Sequence, residues 1–260
     1  MNPSVNRDTI RQVSTLAAIG AGFGINTWSN IAPIGGLTIA EISNTLLKEV
    51  LMTPANYAFA IWGLIYVGLF SFSVYQLSPK RRTHPELRRL GYLVVWASLA
   101  QILWVLLFQC RFFSASVVAM LGILIPLILA YQRLGIGRRK VSQATQWWVH
   151  IPLSIYLAWI SVATIVNVAI GLFAINWSGW GISAPVWTAI LSAIAAILGV
   201  IVSGRGRDLA FPGVVIWALL AIAVRHQSIG LIAGTAAGSA ALLLGFVAGK
   251  ILFGEEKHVL

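Results

Sequence analysis

Eight apolar runs divide this chain and limit its fold more than any other feature. They cover roughly residues 12–33, 57–77, 91–110, 113–132, 147–171, 184–203, 209–226 and 229–252. A helical run of about 20 residues, at 1.5 Å per residue, crosses the roughly 30 Å of hydrocarbon in a bilayer. Of 260 residues, 58% are hydrophobic and only 10% are charged, whereas a soluble domain carries about a quarter charged residues. A sphere of this size could not hide so much apolar surface from water, so lipid has to be its solvent. The chain therefore reads as all-α, a polytopic membrane helical bundle of about eight transmembrane helices. The seventh run is short and begins near Pro212; thinning of the bilayer, or Arg225 reaching for the surface, would make up the deficit.

Charge supplies an independent check on the number of spans. With the N-terminus inside, Arg7, Arg11, Lys80, Arg81, Arg82, Arg88, Arg89, Arg133, Arg138, Arg139, Lys140, Arg205, Arg207, Lys250 and Lys257 fall on the cytoplasmic side. Lys48, Arg111 and Arg225 remain outside. Such a bias is what the positive-inside rule requires, and omitting one span would spoil it. The net charge of +11 is thus explained by clusters between spans, and no nucleic-acid partner is expected. The first run has no small-residue cleavage site and is closed by Asn26, Asn30 and Pro33, so it reads as a retained span. The expectation is a multi-pass protein of the plasma (inner) membrane, with both termini cytoplasmic and a tail over 253–260. The lone Cys110 excludes an intrachain disulfide and any multi-cysteine metal site.

One connection is more than a turn. Thr38 and Glu41 have capping-box spacing, and Ile39, Ile42, Leu46 and Val50 recur on one helical face. A short helix is expected between spans one and two, either resting on the outer membrane surface or closing over a site.

The acidic residues (Asp8, Glu41, Glu49, Glu86, Asp208, Glu255, Glu256) all fall in loops or tails. Ion-coupled transport usually keeps a carboxylate or histidine relay within the membrane. No zinc motif or phosphate-binding loop is present, and His84, His150, His226 and His258 are far apart. No enzymatic role, no metal and no required cofactor are expected. Tryptophan, by contrast, is abundant, with 11 residues. Trp28, Trp177, Trp180 and Trp187 fall near the outer boundary, and Trp147 and Trp148 near the inner one, as an interfacial belt requires. Trp62, Trp104, Trp159 and Trp217 lie deeper, where each indole N–H wants a partner.

Two stretches carry a resemblance. Pro54-Ala55-Asn56-Tyr57-Ala58-Phe59-Ala60-Ile61-Trp62-Gly63-Leu64-Ile65-Tyr66 opens the second span. The fifth contains Pro152, Tyr156, Trp159, Ala163, Thr164 and Asn167, and the third contains Gln101, Leu103, Trp104 and Phe108. These resemble the second, fifth and third helices of the tryptophan-rich sensory protein family (TspO/MBR, translocator-protein-like). The resemblance covers about residues 1–180. It implies a five-helix membrane domain over 1–180, with three additional transmembrane helices over 184–252. It also implies a ligand of porphyrin or haem type, or another hydrophobic small molecule, held beneath the loop joining the first two helices, and in many members a dimer.

The depth of the residues leads to a similar place. Trp62 and Tyr66 share one face of span two, and Pro152, Tyr156, Trp159, Ala163 and Asn167 share one face of span five. The candidate ligand-binding residues are Phe59, Trp62, Tyr66, Gln101, Trp104, Tyr156, Trp159, Ala163 and Asn167. Aromatic walls with a few amides suit a flat apolar ligand with polar edges, and they would equally make a hydrogen-bonded seam between helices. Gly230, Gly234 and Gly238, spaced by four, allow close packing within the chain or a homodimer face. The expected function is tetrapyrrole or other hydrophobic-ligand binding by a membrane sensory protein. The alternative is a small-molecule transporter using all eight spans, and catalysis would rest on Trp, Tyr and His alone.

Overall fold

The computed structural model describes residues 3–253, and among them every regular element is helical. The expected tail therefore lies, after Phe253, outside the described residues. The long helices are α1 (Pro3–Ile31), α2 (Ile61–Leu77), α3 (Leu93–Gln109), α4 (Phe113–Leu134), α5 (Ile151–Ala174), α6 (Ala184–Gly204), α7 (Ala210–Arg225) and α8 (Gly230–Phe253). Five helical stretches are long and apolar enough to cross a membrane: Asn56–Leu77, Phe113–Leu134, Gln143–Ala174, Ala184–Gly204 and Gly230–Phe253. Helices α3 and α7 are apolar but shorter, with 17 and 16 residues. Helix α1 has 29 residues and begins ahead of the expected span.

Helices α1, α2, α5, α4 and α3 close a ring, each packed on the next, and α3 returns to α1. Helices α6, α7 and α8 form a second group that meets the ring chiefly through α7 lying on α5. Helix α7 would be only about 24 Å long; one face is packed, burying Phe211, Val215, Ala218 and Ile222, while Trp217, Leu220 and Val224 stay exposed. Arg225 does not rise freely to a membrane surface. It donates to the Asn44 side chain at 2.7 Å, to the Ser43 carbonyl at 3.1 Å and to the Pro54 carbonyl at 3.3 Å.

At the basic end, two acidic residues prove to be built into the bundle although the sequence places them in loops or tails. Asp8 lies within α1 and accepts from Arg88 Nε at 3.0 Å. The Arg88 guanidinium holds its carboxyl below the ordinary range, outweighing burial, which acts the other way. Asp208 is buried and accepts from Tyr131 at 2.8 Å and Ser154 at 2.5 Å, while the α7 amide of Ala210 donates to it at 3.0 Å. One loop carboxylate thus joins α4 and α5 to the start of α7.

The connector between α1 and α2 carries the expected capping box: Glu41 N donates to Thr38 Oγ1 at 3.2 Å, and Thr38 N to Glu41 Oε2 at 2.7 Å. Its helix, Ile39–Asn44, is shorter than the expected amphipathic stretch. The chain turns after Thr45, so Leu47 is buried while Leu46 stays exposed. Gly230, Gly234 and Gly238 do not pack within the chain, because a Cβ at any of them would meet nothing within 4 Å. Helix α8 instead buries Ile232, Ala236, Ala240 and Leu243.

Candidate ligand-binding site

Helices α2, α3, α4 and α5 of the ring border a small chamber under the α1–α2 connector. Phe59 reaches it from the turn just before α2, Trp62 from the start of α2, Trp104 and Phe108 from α3, and Met120 from α4. Helix α5 contributes Trp159, Ala163 and Asn167, three positions that its 3.6-residue period puts on one face. Ile39, Ser43, Thr53 and Pro54 complete it from above, so the connector is a roof rather than a surface-resting strap.

The nine candidate residues divide into two sets. Phe59, Trp62, Trp104, Trp159, Ala163 and Asn167 border the chamber. Tyr66, Gln101 and Tyr156 do not; they form a hydrogen-bonded seam. Tyr156 donates to Gln101 Oε1 at 2.6 Å, Gln101 Nε2 donates to Tyr66 at 2.6 Å, and Tyr66 donates to the Gly22 carbonyl at 3.1 Å. That chain joins α5, α3, α2 and α1, and it uses every polar atom it brings except the second amide hydrogen of Gln101. Trp62 lies between the sets, its ring 5.8 Å from Tyr66 and 6.2 Å from Tyr156.

A second bonded group stands in the chamber wall. The Trp104 indole donates to Asn167 Oδ1 at 2.6 Å, and Asn167 Nδ2 donates to Ser116 at 2.9 Å. These bonds fix Trp104 and Asn167 and leave them little to offer a ligand. The indole N–H groups of Trp62 and Trp159, in contrast, have no hydrogen-bond partner among the described residues. Neither nitrogen is sealed from its surroundings, so each N–H is free to donate to an acceptor that reaches it. Phe59 meets Trp159 edge-on at 6.3 Å, giving the wall two crossed aromatic faces.

Trp217, the fourth deep tryptophan, is elsewhere: it donates to the Ala58 carbonyl at 3.4 Å from α7 and packs on Tyr57. Sequence reasoning missed Met120, Ile160, Val162 and Val166 in the wall, and nothing sets these apart from any other apolar position facing a neighbouring helix. Thr53 and Pro54 were missed as roof residues, although the capping box pointed to the connector.

The chamber measures about 60 Å³, space for roughly two water molecules. Sites for drug-sized ligands usually measure about 300–1,000 Å³. A ligand of that size enters only if the roof or the rings move.

Neither the curated proteins nor the solved structures give a significant match to the chain. The family model described as TSPO-like protein matches residues 12–249. That stretch begins in α1 and ends in α8, so it takes in the last three helices, which the motif resemblance left out. The order of the helices and the match along nearly the whole chain lead to one assignment: this is an integral membrane protein that belongs to the TSPO-like protein family.

Proposed function

We propose that the protein binds a flat hydrophobic ligand of the porphyrin type in the chamber beneath the connector, and acts by binding rather than by catalysis. The observation that carries this reading is the pair of unpartnered indoles, Trp62 and Trp159, bordering a mostly apolar, aromatic-walled space. A macrocycle there would have ring faces to stack on and two N–H donors for its polar edge. No histidine, cysteine or tyrosine borders the chamber and Met120 offers its only soft ligand atom, so the ring system, more than an axial ligand on the metal, would supply the recognition.

The same reading places all eight long helices across the plasma membrane, with both termini on the cytoplasmic side. Residues 1–180 hold the ligand and 184–252 brace that part from outside. The open glycine face of α8 suits a homodimer.

Titration of the purified full-length protein with haem and with the metal-free porphyrin, read by tryptophan quenching, tests the site. Affinities for the two should agree within a few-fold. Trp62→Ala and Trp159→Ala should each weaken binding about tenfold or more, since an aromatic contact adds about 0.5–1.5 kcal/mol beyond area burial. Trp147→Ala, at an exposed position, should leave affinity unchanged. Unaltered porphyrin affinity in stably folded Trp62→Ala and Trp159→Ala would remove the chamber as the site.

A further inference from the structure

Helices α5 and α6 touch at few points along their length. Between them lie two spaces, of about 840 Å³ toward the basic end and about 680 Å³ toward the other. Thr164 and Ile165 border both, so the two are halves of one lateral crevice. In the basic half, Ile128, Ile194, Ile197 and Ile201 line the wall while remaining exposed on the outside of the bundle. In a bilayer such a space is filled by lipid chains, because neither water nor vacuum is tolerated against it.

What distinguishes this crevice from ordinary lipid surface is its mouth. Arg138 and Arg205 stand there, and neither guanidinium makes an ion pair or hydrogen bond among the described residues. The nearby Asp208 is engaged by Tyr131, Ser154 and the Ala210 amide. The two loops that carry the arginines are locked together. Arg207 N donates to the Gly137 carbonyl at 2.7 Å, and a Cβ on Gly206 would come within 2.5 Å of that same oxygen. The backbone of the mouth is therefore held in place, and it carries Arg138 in the loop after α4 and Arg205 directly after α6. From Ile194 to Arg205 the groove runs about 16 Å along α6, close to the depth of one leaflet.

We infer that the basic half of this crevice holds one acidic phospholipid, its acyl chain between α4, α5 and α6 and its phosphate on Arg138 and Arg205. Charge complementarity selects the acidic headgroup, and the groove's depth selects a chain drawn from the leaflet on the basic side. The site is separate from the aromatic chamber and stands whether or not that chamber binds a porphyrin.

Native mass spectrometry of the full-length protein in detergent tests this, with phosphatidylglycerol and phosphatidylcholine of identical chains as the probes. One phosphatidylglycerol should be retained roughly tenfold more tightly than phosphatidylcholine, the order expected for two basic residues at a membrane surface. The double variant Arg138→Gln/Arg205→Gln should lose that preference, while Lys140→Gln, from the same loop but not bordering the crevice, keeps it. Ile197→Trp, which fills the groove from its lipid side, should reduce retention of both lipids. Glycerophosphate, a headgroup without chains, should not compete. Equal retention of the two lipids, selectivity surviving in a folded double variant, displacement by glycerophosphate, or a protein dimer in place of the lipid adduct would each overturn the assignment.

Discussion

Asp8 shows how one side chain can join distant parts of the chain near a membrane surface. It is nearly buried in α1, faces Arg88 and Arg11, and its carboxyl is held below the ordinary range chiefly by its hydrogen bond to Arg88. A carboxyl with a depressed folded pKa stabilises the fold above its unfolded value, near 3.9, and loses that contribution as pH falls through the folded value. The melting temperature of the wild type should therefore fall on acidification below about pH 4. Asp8→Asn should melt lower than wild type at neutral pH and show a flatter acid limb; an unchanged acid limb would mean that other carboxyls dominate. The pairing was not legible in the sequence, because Asp8 and Arg88 are 80 residues apart and nothing in the composition links them. The aromatic wall was more legible: Trp62 and Trp159 stand out as deep tryptophans on polar-bearing faces. Gln101, Tyr66 and Tyr156 share the same residue types and depth, and only their bonds to one another reveal a seam.

The connector between α1 and α2 makes the corresponding case for a whole element. Its start is written locally in Thr38 and Glu41, and the capping box forms as the spacing predicts. Its end is not written locally at all. The Ser43 carbonyl, left over where the helix stops, accepts from Arg225, and Leu47 N bonds back to the Ile42 carbonyl at 3.1 Å. A partner from the far end of the chain cuts the helix short and turns Leu47 inward in place of Leu46, which no local periodicity could show. Because this element roofs the chamber, loosening it should be measurable. Thr38→Ala removes an N-cap worth about 1 kcal/mol. Hydrogen exchange across residues 39–44 should then rise about fivefold, with faster ligand entry and little change in global melting. Unchanged protection would mean that Arg225, and not the cap, holds the roof in place.

Across the whole molecule, hydropathy carries depth but no lateral information. The eight apolar runs lie close to the eight long helices, yet nothing in them indicates that α1 to α5 close a ring or that α7 is the piece lying on α5. Orientation is testable directly. In a Cys110→Ser background, needed because Cys110 is exposed, cysteines at Lys48 and Ser178 should react with an impermeant maleimide added outside intact cells. Cysteines at Thr83 and Lys140 should react only after lysis. Labelling of Thr83→Cys from outside would reverse the bundle.

The partners of the roof are separated from it by most of the chain: Ala55 N bonds to the Ala221 carbonyl, Thr53 faces His226, and Pro54 faces Arg225, 171 residues away. A ribosome adding about 5–20 residues per second needs roughly 10–35 s to pass from the connector to those partners. During that interval the aromatic walls of α2, α3 and α5 are made before the helix that pins their cover. If the chamber binds as proposed, nascent protein would pass through a stage in which it stands open, and a ligand present at the translocon would meet an easier entrance than in the finished molecule.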